Sequence, residues 1–189
     1  IEHIKYRYIH IFLILLVNRF RLIAMKLRKL GKSDLEVSEV GFGAWTLATG
    51  WWGEAQDATT MLNAALDCGI NFIDTAPAYG DGFGETVIAP FIAEHKDELI
   101  ITTKCGYDIT AERPDDGRHK ERPHDWKSKS IIKQVEDSLQ RLGLETIDLL
   151  QLHNIRLDGV INDELFATLD DLIAQGKVRY LGVALGPAI

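Results

Sequence analysis

The sequence predicts an α/β fold in which helices cover a parallel sheet, on three observations. From Met25 onward, short apolar runs alternate with longer amphipathic ones. The short runs are nearly continuous in Val, Ile and Leu, as strands buried on both faces are. The long runs repeat their apolar residues at helical spacing and end on glycine, which caps a helix at little steric cost.

The elements follow in order. Residues 37–45, VSEVGFGAW, read as a first strand. Residues 54–69 read as a helix with Ala55, Ala58, Met61, Leu62, Ala65 and Leu66 on one face and Gly69 as its cap. NFIDTA, 71–76, is a strand; ETVIAPFIAEH, 85–95, is a short helix that Pro90 bends. ELIITTKC, 98–105, is a strand with a β-branched interior. Residues 130–143 form a helix with Ile131, Ile132, Val135, Leu139 and Leu142 inward and Gly143 as its stop. TIDLLQLH, 146–153, is a strand, and 162–176 is a helix with Asn162 as N-cap and Gly176 at its end. KVRYLGVAL, 177–185, closes the pattern as a fifth strand.

One strand followed by four helix–strand units fits an open doubly wound sheet or a (β/α)8 barrel. Five strands in about 150 residues keep the pace of a barrel, which takes ~250 residues in all. On the barrel reading the chain carries about five of eight units, residues 25–189 form a partial barrel domain, and both terminal strands are open edges.

The 189 residues carry a net charge of -7 and are 46% hydrophobic, which fits one ordinary globular domain. The acidic balance without a basic stripe weighs against a nucleic-acid partner. Cys68 and Cys105 are too few for a disulfide framework, so a reducing, cytoplasmic setting is expected. Residues 1–24 differ from the rest, with Lys5, Arg7, Arg19 and Arg21 against Glu2 alone. Their apolar run, Ile11 to Val17, falls short of the ~20 residues that span a bilayer, so no membrane anchor is expected. The run matches the length of a signal-peptide core, but the basic exit NRFRLIA lacks a small-x-small cleavage pattern. Residues 1–24 are expected to be a leader outside the fold, with Met25 as the start; a targeting segment and a genuine extra element are the alternatives.

The chemistry gathers at strand ends. The second strand ends at Asp74, the third at Lys104, the fourth at His153, and Tyr79 lies in the loop leaving the second. Carboxyl ends of parallel barrel strands share one face, where active sites are built. Taken singly, Asp74 reads as a turn carboxylate, Lys104 as a snorkelling side chain and His153 as a structural histidine. Together they make an acid. A free phenol donates its proton poorly at neutral pH, and an ammonium beside it favours the phenolate. A lysine at a dry strand end needs a counter-ion, and an imidazole can orient a carbonyl oxygen or pass a proton.

Here the sequence resembles the aldo-keto reductases, over about residues 30–186. LGKSDLEVSEVGFGAW, ALDCGINFIDTAPAYGDGFGE, IITTKCG, SLQRLGLETIDLLQLHN and QGKVRYLGV are similar to that family's motifs, in order and at matching spacings. The resemblance implies a (β/α)8 barrel and NADPH-dependent reduction of an aldehyde or ketone. It places Asp74, Tyr79, Lys104 and His153 on the catalytic tetrad, with Tyr79 protonating the oxygen while hydride reaches the carbon. It implies cofactor contacts at Gly43, Ala44, Trp45, Asp74 and Asn154. The family's Ser-Asn after the fifth strand, whose side chains meet the nicotinamide amide, is Ala184-Leu185 here. The family's late loops, which grip the pyrophosphate and the 2′-phosphate, fall past Ile189. Those two departures motivate a second reading, a non-catalytic fragment or an NADPH-sensing subunit of the same fold. The coding sequence after Ile189 discriminates the two.

Other patterns carry less. GFGAWT starts like a dinucleotide fingerprint, but its sixth position is Thr46 and no helix is expected there. GDGFGE, 80–85, reads as a turn past the site. Trp45, Trp51 and Trp52 are candidates for the wall of an apolar pocket. His119 and His124, in the long polar loop 106–126, lack metal-ligand spacing, so no metal is expected. No G-x-S-x-G elbow occurs. Cys105 should point away from Lys104, across the sheet.

Overall fold

The structure, a computed structural model, describes residues 25–48, 58–112 and 121–186. The leader 1–24, Trp51, Trp52, Ala55 and His119 lie outside the described residues.

An antiparallel hairpin comes first, β1 (Leu27–Lys29) and β2 (Glu36–Ser38), with Arg28 opposite Val37. A five-stranded parallel sheet follows, β3 (Phe42–Gly43), β4 (Phe72–Asp74), β5 (Ile100–Cys105), β6 (Ile147–His153) and β7 (Val178–Ala184). The helices are α1 (Trp45–Ala48), α2 (Ala58–Asp67), α3 (Phe83–His95), α4 (Ser128–Leu142), α5 (Leu157–Val160) and α6 (Asp163–Ala174). The strands pair in chain order, β3-β4-β5-β6-β7. A doubly wound sheet reverses its strand order at a switch point. No reversal occurs here, so the winding is that of the partial barrel.

The expected strand 37–45 is divided. Residues 36–38 belong to the hairpin, and only Phe42 and Gly43 pair with β4. The chain turns between them, where Ser38 Oγ donates to the Val40 carbonyl (2.7 Å) and Glu39 N to the Lys26 carbonyl (2.9 Å). The expectation that no helix opens after GFGA also fails, since the single-turn α1 starts at Trp45.

The sheet alternates cleanly. Ile101, Thr103 and Cys105 of β5 face the helices, while Thr102 and Lys104 face the other side. Two apolar clusters fill the helix side: one joins Leu62, Ile73, Ile88, Phe91 and Ile101, the other Ile131, Val135, Leu150, Leu165, Leu169 and Val178. Met61 and Ile132, both expected inward, are exposed. They lie at the margins of their apolar stripes, which the neighbouring elements do not cover. The caps are as expected. Gly143 takes a left-handed φ of 68° after α4, and Asn162 accepts from Leu165 N (3.1 Å) at the start of α6.

The hairpin is fastened at two sides of the sheet. Asn71, just before β4, accepts from Ser38 N (2.7 Å) and donates to the Glu36 carbonyl (2.9 Å). Asp34, in the hairpin turn, takes bonds from Arg179 (2.8 Å) and Tyr180 (3.1 Å) at the start of β7. It therefore sits across the end opposite the strand carboxyl termini. No helix among the described residues is long and apolar enough to cross a membrane.

Candidate active site

Parallel register brings the strand ends level. Asp74 closes β4 opposite Gly43 and Thr102, Lys104 lies opposite Gln151, and His153 opposite Ala184. After Asp74 the chain enters a turn in which Gly80, Asp81 and Gly82 all have positive φ, at 64°, 56° and 92°. Such a run suits glycine and aspartate. It folds the segment back so that Tyr79 faces the strand ends.

Lys104 is the centre. It is 4% exposed, and its Nζ contacts four oxygens. Two belong to Asp74 (2.9 and 2.8 Å), one is the Thr75 carbonyl (2.9 Å) and one is the Tyr79 hydroxyl (3.0 Å). The ammonium is thus desolvated and fully surrounded, as a buried charge must be. Because the Tyr79 oxygen accepts from Lys104, its own O–H is left to donate elsewhere.

His153 stands across from Tyr79, ring centroids 6.0 Å apart and nearly perpendicular. Burial pushes its pKa down to about 3, and the charges of Lys104 and His124 push the same way. It is therefore a neutral imidazole at physiological pH. Cys105 lies on the opposite side of the sheet, as alternation requires, and burial pushes its thiol up to about 12.

Three parts of the site were not foreseen. Gln151 donates to Asp74 Oδ1 (3.1 Å), an oxygen that Lys104 also binds, and to Thr102 Oγ1 (2.8 Å). Its spacing, two residues before His153 on one strand, was the available signal. Tyr107 and His124 come from the long loop. Tyr107 meets His153 edge-on (4.7 Å), and its hydroxyl is pushed up to about 12, chiefly by burial. His124 stacks on Tyr107 (4.2 Å), its Nε2 lies 2.8 Å from the His153 carbonyl, and Trp126 stacks behind it (5.0 Å). The loop fits here because Gly106 has φ 124°, where a Cβ would meet the Trp126 ring at 2.2 Å.

The residues expected at a cofactor differ among themselves. Gly43 is exposed, and a Cβ there would meet no atom within 4 Å. Ala44 is fully buried, its N–H bonded to the Asp74 carbonyl (2.8 Å), so only its backbone shapes the strand end. Trp45 is exposed beside them. Asn154 has a left-handed φ of 52°, and its amide donates to the Tyr107 hydroxyl (2.8 Å) and Glu121 (3.0 Å). An open strand end beside a held carboxylate, a phenol with a free proton and a neutral imidazole can orient and protonate a carbonyl oxygen.

Comparison with known proteins points the same way. The model of the family described as Aldo/keto reductase family matches residues 39–187. The oxidoreductase YqkF of Bacillus subtilis is 38% identical over 164 residues, 85% of this chain and 49% of that protein. The NADH-specific methylglyoxal reductase of Escherichia coli is 32% identical over 171 residues, 85% of this chain and 52% of that protein. Among solved structures, the aldo-keto reductase AKR11C1 from Bacillus halodurans superposes with a TM-score of 0.71 at 34% identity, covering 85% of this chain and 50% of that one. The chain spans about half the length of the curated relatives it matches.

Proposed function

Because this chain belongs to the aldo/keto reductase family, we propose that it carries the catalytic face of an oxidoreductase that reduces aldehyde or ketone carbonyls to alcohols. The observation that carries the reading is the Lys104 ammonium, held by Asp74 and bonded to the Tyr79 hydroxyl at 3.0 Å.

Tyr79 is the general acid in this reading. Its O–H donates to the carbonyl oxygen of a substrate in the mouth, and the phenolate left behind faces the Lys104 charge. Asp74, itself held by Gln151, keeps Lys104 in place. His153, neutral through the physiological range, orients the carbonyl oxygen by a hydrogen bond and does not supply the proton. Gly43, Ala44, Trp45, Asp74 and Asn154 are the residues that would hold a nicotinamide cofactor here, which when bound supplies a hydride. Ala184, where the family has serine, leaves that contact to backbone. NADPH is the proposed donor, and NADH is the competitor, because one relative bears the name of an NADH-specific enzyme.

The test uses the intact protein. NADPH and NADH are compared as donors for small aldehydes and ketones, methylglyoxal included, with Tyr79→Phe as the control. Reduction should be faster with NADPH. The variant should lose about 10²–10⁴-fold in kcat while still quenching tryptophan fluorescence on cofactor binding, with Trp45 as the nearby reporter. Unchanged turnover in Tyr79→Phe would sink the acid role, and preference for NADH would reverse the cofactor assignment.

A further inference from the structure

The Asp81–Arg122 pair joins two segments that the mechanism above treats separately. Asp81 lies two residues after Tyr79, in a turn closed by Gly82 N to the Pro77 carbonyl (2.7 Å) and Gly84 N to the Tyr79 carbonyl (2.9 Å). One Arg122 nitrogen donates to both Asp81 oxygens at 2.7 Å. The other terminal nitrogen donates to the Ile109 and Ala111 carbonyls, at 2.7 and 2.5 Å, while the buried Nε has no hydrogen-bond partner. Arg122 is two residues before His124, which holds the His153 carbonyl and stacks on Tyr107. Contacts therefore run around the mouth from Tyr79 through Asp81, Arg122 and His124 to His153.

Exposed ion pairs are usually worth little, because two long side chains must be ordered in high dielectric. Arg122 departs from that case. Its side chain is 12% exposed and already ordered by two backbone carbonyls, so little rotamer freedom remains to be lost. Asp81 has a short side chain on a left-handed backbone between two positive-φ glycines.

We infer that Asp81 and Arg122 are positioning residues: their ion pair fixes residues 107–111 and 122–124, with Tyr107 and His124, against the turn that carries Tyr79, and so sets the width of the opening that a carbonyl substrate enters. The inference rests on the reductase reading for what the opening admits, and on geometry alone for the loop.

The test uses Arg122→Met, Asp81→Asn and the double variant of the intact protein. Hydrogen exchange is read at the Asp108 and Asp125 amides, whose bonds to the Pro123 and Gly106 carbonyls (both 2.8 Å) zip the loop. Each single variant should speed their exchange by about tenfold, with no further gain in the double. KM should rise by about tenfold, with kcat within about threefold, as expected when binding common to ground and transition states is lost. Partial unfolding would instead lower kcat, leave KM unchanged and speed exchange throughout. Loop amides exchanging at unaltered rates in both single variants, or KM unmoved, overturn the inference. If the unaltered protein reduces no carbonyl, the reductase reading fails and the exchange result alone decides this one.

Discussion

Lys104 illustrates how a residue that is costly to bury becomes the organiser of a site. Its four oxygen contacts offset its desolvation, and one of them is the Tyr79 phenol. His153 makes the complementary case, since burial keeps it uncharged. Its depressed pKa has a consequence for stability. Unfolded, it titrates near 6.5; folded, near 3. Below 6.5 the unfolded chain gains a proton that the folded one refuses, so this stability is present above pH 6.5 and lost as pH falls toward 3. His153→Gln should therefore flatten the acid limb of stability between those values, read as urea midpoints against pH; a limb of unchanged slope would contradict it. Asp74, Tyr79, Lys104 and His153 were legible in the sequence because each ends or follows an apolar strand. Gln151 carries no such signal, because an amide within an apolar strand has no acid–base chemistry of its own. Tyr107, His124 and Arg122 sit in a loop without periodicity, so nothing local says which of its residues turn back to the site.

Helices and strands show the same division. The caps Gly143 and Asn162 were readable because capping is decided by one residue and its neighbours. The division of 37–45 was not, since β2 pairs with β1 and not with the sheet, a choice made by partners elsewhere in the chain. Between elements, Glu85 on α3, fully buried, accepts from Thr103 Oγ1 of β5 (2.6 Å) and Arg141 Nε of α4 (2.6 Å). Removing one partner strands a buried charge. Arg141→Met should cost about 3 kcal/mol by urea unfolding, toward the low end of such losses because the arginine is partly exposed. A loss below about 0.5 kcal/mol, the range of ordinary surface changes, would show that Glu85 is held by Thr103 alone.

Across the molecule, the hairpin and the sheet meet through Asp34, which takes bonds from Arg179 and Tyr180, while Arg179 also binds Asp148 of β6 (2.6 Å). Asp34→Ala should lower stability by no more than about 1 kcal/mol, as exposed pairs do, yet speed exchange of the Glu39 amide, which closes the hairpin onto Lys26. Equal exchange in the two proteins would mean that Asn71 alone fastens the hairpin. The sequence by itself determined the α/β class, the sequential barrel winding, the order of the sheet strands and longer helices, and three strand-end residues with a loop tyrosine placed to meet at one mouth, because apolar periodicity, caps and strand termini are written in neighbouring residues. Tertiary structure alone sent 36–38 to the hairpin, opened the single-turn helix at Trp45, and folded Arg122 and His124 of the long loop back toward the site. Those choices depend on pairings between residues tens of positions apart, where parallel register and buried charge select the partner and no local pattern records the choice.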